Sequence, residues 1–148
     1  MNSVPKAAFG DGEMADGVVT GDAAEICETD FPLADIPSEG DFALAIITGV
    51  EGASYRPLGA AMVIDAAGHG WGSLSSGCLE RDVVLQAQAA IAADAPRALR
   101  YGRGSRFLDI QLPCGGGLDI RILPNPDRAL LGRMAGTLAA RRPVSVVL

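Results

Sequence analysis

The residues best suited to chemistry lie in the stretch 72–82, which reads Gly-Ser-Leu-Ser-Ser-Gly-Cys-Leu-Glu-Arg-Asp. Small residues lead to a cysteine, Cys78, at the point where a helical pattern of apolar side chains begins. The first backbone N–H groups of a helix have no partner within it, and the helix dipole is positive at that end. Such a position binds anions and favours the thiolate form of a cysteine over the thiol. We therefore expect Cys78 to be the residue that reacts with a ligand or contacts one.

A second glycine-rich loop, 113–117, also carries a cysteine, Cys114. Its glycines, which include Gly115 and Gly116, permit the positive φ angles of an anion-binding backbone nest. Free cysteines are often only small buried hydrophobic residues, and glycines often serve only turns. Two such loops in one small domain nevertheless favour a ligand site built from both.

Several charged or aromatic side chains could complete such a site. Tyr55 and Arg56 lie in the loop 51–59, where small neighbours leave them accessible, and an arginine can bind phosphate or carboxylate oxygens. Glu80 is either a general base or ligand contact, or a first-turn carboxylate that stabilises the helix, and we favour the second role. Four further arginines have three-residue spacing, which alternates faces on an extended segment, so at most two of them share a site. They are Arg97, Arg100, Arg103 and Arg106.

Length and composition indicate one globular domain. The chain has 148 residues, of which 49% are hydrophobic and 20% charged, which is enough to bury a core. It has no apolar run of about eighteen residues and no secretory leader pattern, so we expect a soluble, cytoplasmic protein without membrane contact. Its three cysteines are widely spaced, which argues against a disulfide framework or a structural zinc site.

The negative charge is concentrated near the N-terminus. Residues 1–42 contain ten acidic side chains and one lysine, whereas residues 43–148 contain eight acidic side chains and eleven arginines. This small positive excess, without a basic stripe among aromatic residues, argues against a nucleic-acid surface. We interpret 1–41 as an acidic, partly flexible arm and 42–148 as the folded domain.

The elements around the cysteine loops follow from the apolar pattern. A continuous apolar run at 42–50 predicts a central strand covered on both faces. Strands at 60–65 and 71–74 follow it and predict a meander. Apolar side chains at helical spacing then predict a helix over 79–93, which Asp94 and Pro96 end.

The second half of the chain predicts strands at 97–101, 107–112 and 118–123. Asp127 is the expected cap of a helix over 128–140, and 143–148 has the pattern of a final strand, so we expect a fragment or a continuation. Residues 25–41 predict irregular structure with one short helical turn. The fold class is therefore α/β, or α+β, as a single domain with one mixed sheet flanked by helices.

Three motifs occur in an order that resembles the XdhC/CoxI family, the accessory factors of xanthine dehydrogenase and related molybdenum hydroxylases. They lie at 51–60, 72–80 and 112–117, and the resemblance covers about 42–148. It implies a maturation factor that binds and protects molybdenum cofactor, as molybdopterin or its dinucleotide form. It also implies sulfuration of that cofactor with a cysteine desulfurase, and delivery to an apo xanthine dehydrogenase-like enzyme. Family members commonly continue into a Rossmann-like C-terminal domain, which this sequence lacks, and a homo-oligomer is also expected.

The resemblance assigns a cofactor-binding role to residues of the three motifs. Where family members usually have a second glycine, this chain has Ser76, which adds a hydroxyl to the loop. The expected cofactor-binding residues are Tyr55, Arg56, Ser73, Ser75, Ser76, Gly77, Cys78, Glu80, Cys114, Gly115 and Gly116.

Two other functions remain open at this point. In the first, the chain is a thiol-dependent sulfurtransferase or oxidoreductase in which Cys78 is the nucleophile and Cys114 resolves it. In the second, it is only a dimerisation and partner-docking domain. We favour a cofactor-binding chaperone over an enzyme, because a soft thiolate suits molybdenum–sulfur chemistry and can also carry a persulfide sulfur.

Overall fold

The computed structural model describes residues 31–105, 112 and 115–142, and the backbone of 23–25 and 145–147. Its strands are β1 (Ala23–Glu25), β2 (Phe42–Glu51), β3 (Ala61–Asp65), β4 (Gly70–Gly72), β5 (Arg97–Gly102), β6 (Gly117–Pro124) and β7 (Ser145–Val147). Its helices are α1 (Glu80–Ala93), α2 (Arg128–Ala139) and a single 3-10 turn (Leu33–Asp35). The predicted short helical turn within 25–41 is thereby confirmed.

Five strands form the main sheet in the order β4-β3-β2-β6-β5. The long apolar strand β2 is central, as predicted, and pairs with β3 on one side and β6 on the other. The meander β2-β3-β4 is also confirmed. β4 is shorter than the predicted strand at 71–74, because Gly72 takes a positive φ of +93° and Leu74 turns into the core.

The α/β class is confirmed, whereas the expected mixed sheet is wrong. Every strand pairing in the described part of the chain is antiparallel. β4 and β5, joined through α1, run in the same direction. They are not neighbours, however, because β3, β2 and β6 lie between them. The chain therefore crosses the whole sheet between β4 and β5, and β6 then inserts next to β2.

Both faces of β2 are covered, as its continuous apolar sequence predicts. Its side chains alternate between two clusters, since successive residues of a strand face opposite sides of the sheet. The first cluster packs under α1 and includes Ala43, Ala45, Ile47, Val83, Ala87 and Ala90. The second packs under α2 and includes Phe31, Phe42, Leu44, Ile46, Leu131, Met134 and Leu138.

The predicted helix ends are confirmed where the structure describes them. Asp127 caps α2, because its carboxylate accepts a hydrogen bond of 2.8 Å from the Ala129 N–H and one of 3.4 Å from the Leu130 N–H. Asp94 ends α1 in the left-handed conformation, with φ of 45°. Neither helix is long and apolar enough to cross a membrane. The predicted strand at 107–112 lies, apart from Leu112, outside the described residues.

The sheet brings the three sequence motifs to one of its ends. β2, β4 and β5 run in the same direction, and the motif loops leave or follow their C-terminal ends. At that end Glu51 and Gly102 both pair with Gly117, while Gly72 pairs with Met62 at the start of β3. We call this end of the strands the motif end of the sheet.

Candidate functional site

The loop 73–79, which we call the Cys78 loop, presents three consecutive exposed residues at the motif end. Ser76, Gly77 and Cys78 are exposed, whereas Leu74 and Leu79 on either side are buried in the core under α1. Gly77 has a φ of +98°, a conformation that favours glycine. The Cys78 sulfur lies 3.6 Å from the Ser76 hydroxyl. The two leucines therefore anchor the loop, and the thiol faces solvent at its tip, at the start of α1.

Glu80 lies within this loop and binds it from inside. Its Oε1 accepts hydrogen bonds from the backbone N–H groups of Leu74 (3.2 Å) and Ser75 (2.7 Å). Its Oε2 accepts one from the Ser75 hydroxyl at 2.7 Å and one from the Leu79 N–H at 3.3 Å. The Ser73 hydroxyl also lies 3.3 Å from Oε1. Leu79, at the N-cap position, has no side-chain acceptor, and Glu80 accepts from the Leu79 N–H rather than from the N–H groups of the first turn of α1. Glu80 therefore closes the loop and does not cap the helix.

Hydrogen bonds from the loop stabilise the charged form of the Glu80 carboxyl group. Burial alone raises the pKa of Glu80, but the hydrogen bonds from the Ser75 side chain and backbone, together with the Leu74 N–H, outweigh it. The net result is a Glu80 pKa below its ordinary value of 4.5. Glu80 is thus charged at neutral pH and carries no proton to donate.

This lowered pKa predicts an acid-sensitive loop. A depressed folded-state pKa stabilises the fold above the ordinary value of 4.5, and the stabilisation is lost as pH falls through the folded-state pKa. We expect wild type to lose stability relative to the neutral variant Glu80→Gln in that acid range. Chemical denaturation of both proteins across the range measures the difference. A difference that does not change with pH would contradict this account.

The second glycine loop lies against the first motif. Gly116 is buried, and a Cβ atom on it would lie 2.5 Å from the Ala53 carbonyl oxygen and 2.6 Å from that of Glu51. The Arg103 N–H donates to the Gly116 carbonyl at 3.1 Å. Two of the three motifs are therefore in direct backbone contact, which explains a glycine at 116. Cys114 lies outside the described residues.

Tyr55 and Arg56 also lie at the motif end. The Tyr55 side chain is 62% exposed, and Arg56 is half-buried. The Ser54 hydroxyl bonds the Arg56 backbone on both sides, accepting from its N–H at 3.3 Å and donating to its carbonyl at 2.8 Å. This local turn leaves the aromatic ring of Tyr55 available to solvent.

Arg97 and Arg100 lie on opposite faces of β5, as their spacing predicts, whereas Arg103 follows the strand and pairs with Glu51 beside Arg100. Arg97 donates to Gln86 of α1 at 2.7 Å, whereas Arg100 faces the opposite side. Arg100 bonds Asp119 at 2.8 Å, the Arg103 carbonyl at 2.9 Å, and the Glu51 carboxylate. Arg100 is thus engaged in ion pairs that fix the start of the first motif. Arg106 lies outside the described residues.

Sequence reasoning missed two of the supports beneath the site. Glu51 and Asp119 are brought to Arg100 only by strand register, in which Arg100 stands opposite Asp119. Tyr101 donates to Asp82 at 2.6 Å and so ties β5 to the first turn of α1. Burial, and then this hydrogen bond to the charged Asp82, raise the pKa of Tyr101. The sequence did contain one indication of this contact. A tyrosine in a core strand needs a partner for its hydroxyl, and Asp82 in the first turn of the preceding helix could supply it.

Comparison with known proteins bears on this end of the sheet. Residues 36–102 match the model of the XdhC and CoxI family. A curated relative, the molybdenum cofactor insertion chaperone PaoD of Escherichia coli (strain K12), is 34% identical over 103 residues, which are 70% of this chain and 32% of the relative. A crystal structure described as a xanthine dehydrogenase from Bacillus halodurans superposes with a TM-score of 0.60 at 32% sequence identity. The match covers 74% of this chain and 33% of the Bacillus halodurans chain. The chain thus spans about a third of the length of these relatives.

The matched residues contain the first two motifs, 51–60 and 72–80, whereas the third, 112–117, lies beyond them. The exposed Cys78 and its Glu80-bound loop are therefore within the matched part. The resemblance that the first two motifs carry is confirmed there, since residues 36–102 match the XdhC and CoxI family model and the chain is similar to a curated molybdenum cofactor insertion chaperone.

Proposed function

We propose that this chain binds molybdenum cofactor at the motif end of its sheet and serves as the cofactor-holding part of an insertion chaperone. The observation that carries the proposal is that the first two motif loops and the described part of the third lie at the same end of the sheet, with the Cys78 thiol exposed at a loop tip. The similarity to a molybdenum cofactor insertion chaperone supports the choice of ligand. The recipient would be a xanthine dehydrogenase-like apo-enzyme in the cytoplasm.

The residues at the motif end fit such a ligand in space and in chemistry. Cβ atoms built on Gly77 and Gly115 meet nothing within 4 Å, so both loops border open space. An exposed thiol suits a metal–sulfur group, and an exposed tyrosine ring offers a flat apolar face to a pterin. When bound, the cofactor supplies the molybdenum and sulfur ligands that the recipient enzyme uses for catalysis.

Each residue then has a task in holding the cofactor. Cys78 contacts its sulfur-rich end, and Tyr55 stacks on its ring. Arg56 binds its phosphate, since a guanidinium group is a good anion donor, whereas the Leu74, Ser75 and Leu79 N–H groups are already bonded to Glu80. We also propose a homo-oligomer, and sulfuration of the held cofactor by a cysteine desulfurase.

The exposed position of Cys78 favours one second candidate, a sulfurtransferase. Here the Cys78 thiolate attacks the outer sulfur of a donor persulfide. The sulfur–sulfur bond of the donor breaks, the donor leaves as a thiolate, and Cys78 carries the persulfide. This candidate needs the thiol but does not need the chain to hold cofactor.

Retention of cofactor by the purified chain tests the main proposal. The chain is mixed with released molybdenum cofactor, separated by gel filtration and measured by native mass spectrometry and by pterin fluorescence after oxidation. We expect the protein fraction to retain the cofactor in a fixed ratio to the chain. A folded chain whose fraction contains no pterin would overturn the proposal.

A further inference from the structure

The Glu80 carboxylate is the centre of the Cys78 loop rather than a group on its surface. Both of its oxygens accept hydrogen bonds from the loop, and each oxygen accepts at least two of them. The bonds reach residues on both sides of the exposed tip, namely Leu74 and Ser75 before it and Leu79 after it. A single side chain therefore closes the loop across its base.

A short relay extends this closure to the cysteine itself. The Cys78 N–H donates to the Ser75 hydroxyl at 3.1 Å, and that hydroxyl donates to Glu80 at 2.7 Å. Hydrogen bonds to a charged acceptor are roughly twice as strong as neutral ones. The tip residues Ser76 and Gly77 are exposed and so gain little from packing. The direction of the Cys78 backbone therefore depends on this relay.

We propose that Glu80 is a positioning residue for Cys78, which holds the thiol at the loop tip, and that it is not itself a cofactor contact. This inference rests on the proposed function for the importance of Cys78. Its structural half, the closure of the loop, stands independently. The sequence-based expectation was that Glu80 binds cofactor directly. In this proposal Glu80 acts on the cofactor only through Cys78.

A positioning residue and a direct cofactor contact predict different orders of effect for substitutions at Glu80. Alanine removes both acceptors, and aspartate keeps the charge but is one methylene shorter, so neither closes the loop. Glutamine keeps one acceptor oxygen for the Leu74 and Ser75 N–H groups, and its amide can donate to the Ser75 hydroxyl. Positioning therefore predicts that Glu80→Gln works best of the three, although it has lost the charge.

Amide hydrogen exchange, measured by NMR on the whole chain, tests the positioning role without cofactor. In Glu80→Ala and Glu80→Asp we expect exchange at Leu74, Ser75 and Leu79 to accelerate about tenfold or more, with a shifted Cys78 amide resonance. Glu80→Gln restores most of the protection at Leu74 and Ser75, whereas the Leu79 N–H, which faces the replaced Oε2, stays fast. The matched control is Asp82→Asn, another first-turn carboxylate of α1, whose side chain bonds Tyr101 and should leave the loop amides unchanged.

Cofactor retention by the same variants completes the test. We expect retention to fall about tenfold in Glu80→Ala and Glu80→Asp, and to stay near wild type in Glu80→Gln. Wild-type exchange in Glu80→Ala would overturn the positioning role, and so would lost retention in a Glu80→Gln protein whose Leu74 and Ser75 amides stay protected. If wild type itself retains no cofactor while exchange follows the expected ranking, the proposed function fails and the positioning role stands.

Discussion

Replacing Cys78 by alanine is expected to lower retention of molybdenum cofactor by about tenfold or more, without unfolding the chain. The thiol is exposed, and surface substitutions away from special features change the free energy of unfolding by about 0.5 kcal/mol or less. A lost metal–sulfur contact is a much larger effect on binding, since tenfold corresponds to about 1.4 kcal/mol. Retained pterin, compared between wild type and variant at equal protein concentration, measures the change.

Controls separate this prediction from a general effect of losing a cysteine. Cys27→Ala makes the same chemical change in the acidic segment, outside the three motifs, and should retain cofactor as wild type does. Cys78→Ser keeps a small polar side chain but no soft ligand, and should behave like Cys78→Ala.

The same variant separates the chaperone from the sulfurtransferase. If Cys78→Ala retains cofactor normally but can no longer be loaded with sulfur from a persulfide donor, the sulfurtransferase is the better account. If retention is lost, Cys78 has a binding role that a sulfur carrier does not require.

Replacing Gly102 by alanine is expected to destabilise the fold by about 2–5 kcal/mol. Gly102 has a φ of +74°, which costs an alanine about 1–2 kcal/mol. A Cβ atom there would also overlap the Gly116 carbonyl oxygen, and overpacking costs about 1–3 kcal/mol more. Because that carbonyl accepts from the Arg103 N–H, the added methyl group would push the second glycine loop away from β5. Equilibrium denaturation in urea measures the loss.

Gly104 offers a matched control two residues away. Its φ is +80°, but a Cβ there would be no closer than 3.9 Å to its nearest neighbour, the Arg100 Nε. Gly104→Ala should therefore pay only the backbone cost of about 1–2 kcal/mol. Equal losses for the two variants would mean that contact between Gly102 and Gly116 contributes nothing to stability.

Local sequence determined most of the secondary structure because its causes are local. The apolar run of β2 requires cover on both faces, the spacing of Val83 and Ala87 fits one side of a helix, and Asp127 can cap only the residues that follow it. The position of Cys78 at the start of α1 follows from the same reasoning, whereas its exposure is a finding of the structure. These features depend on neighbours within a few positions, so they could be predicted without knowing the fold.

The order of the strands depends on distant pairings, and the sequence could not decide it. A mixed sheet was expected, but β6 lies between β2 and β5 and every neighbouring pair in the described part of the sheet is antiparallel, so that expectation was wrong. The ion pairs of Arg100 with Glu51 and Asp119 follow from that register alone. They join residues far apart in the chain, and no local pattern reveals such partners.

For the candidate site, the sequence by itself determined which loops carry the chemistry, and only the tertiary structure decided how they are held. Glycines and cysteines identified the loops, because close backbone approach and a thiol need those residue types. The role of Glu80 required coordinates, since a first-turn carboxylate can face solvent or turn back to its own loop. Its contacts with Leu74 and Leu79 depend on the fold of that loop, in which buried leucines fix both ends and the carboxylate closes the gap between them.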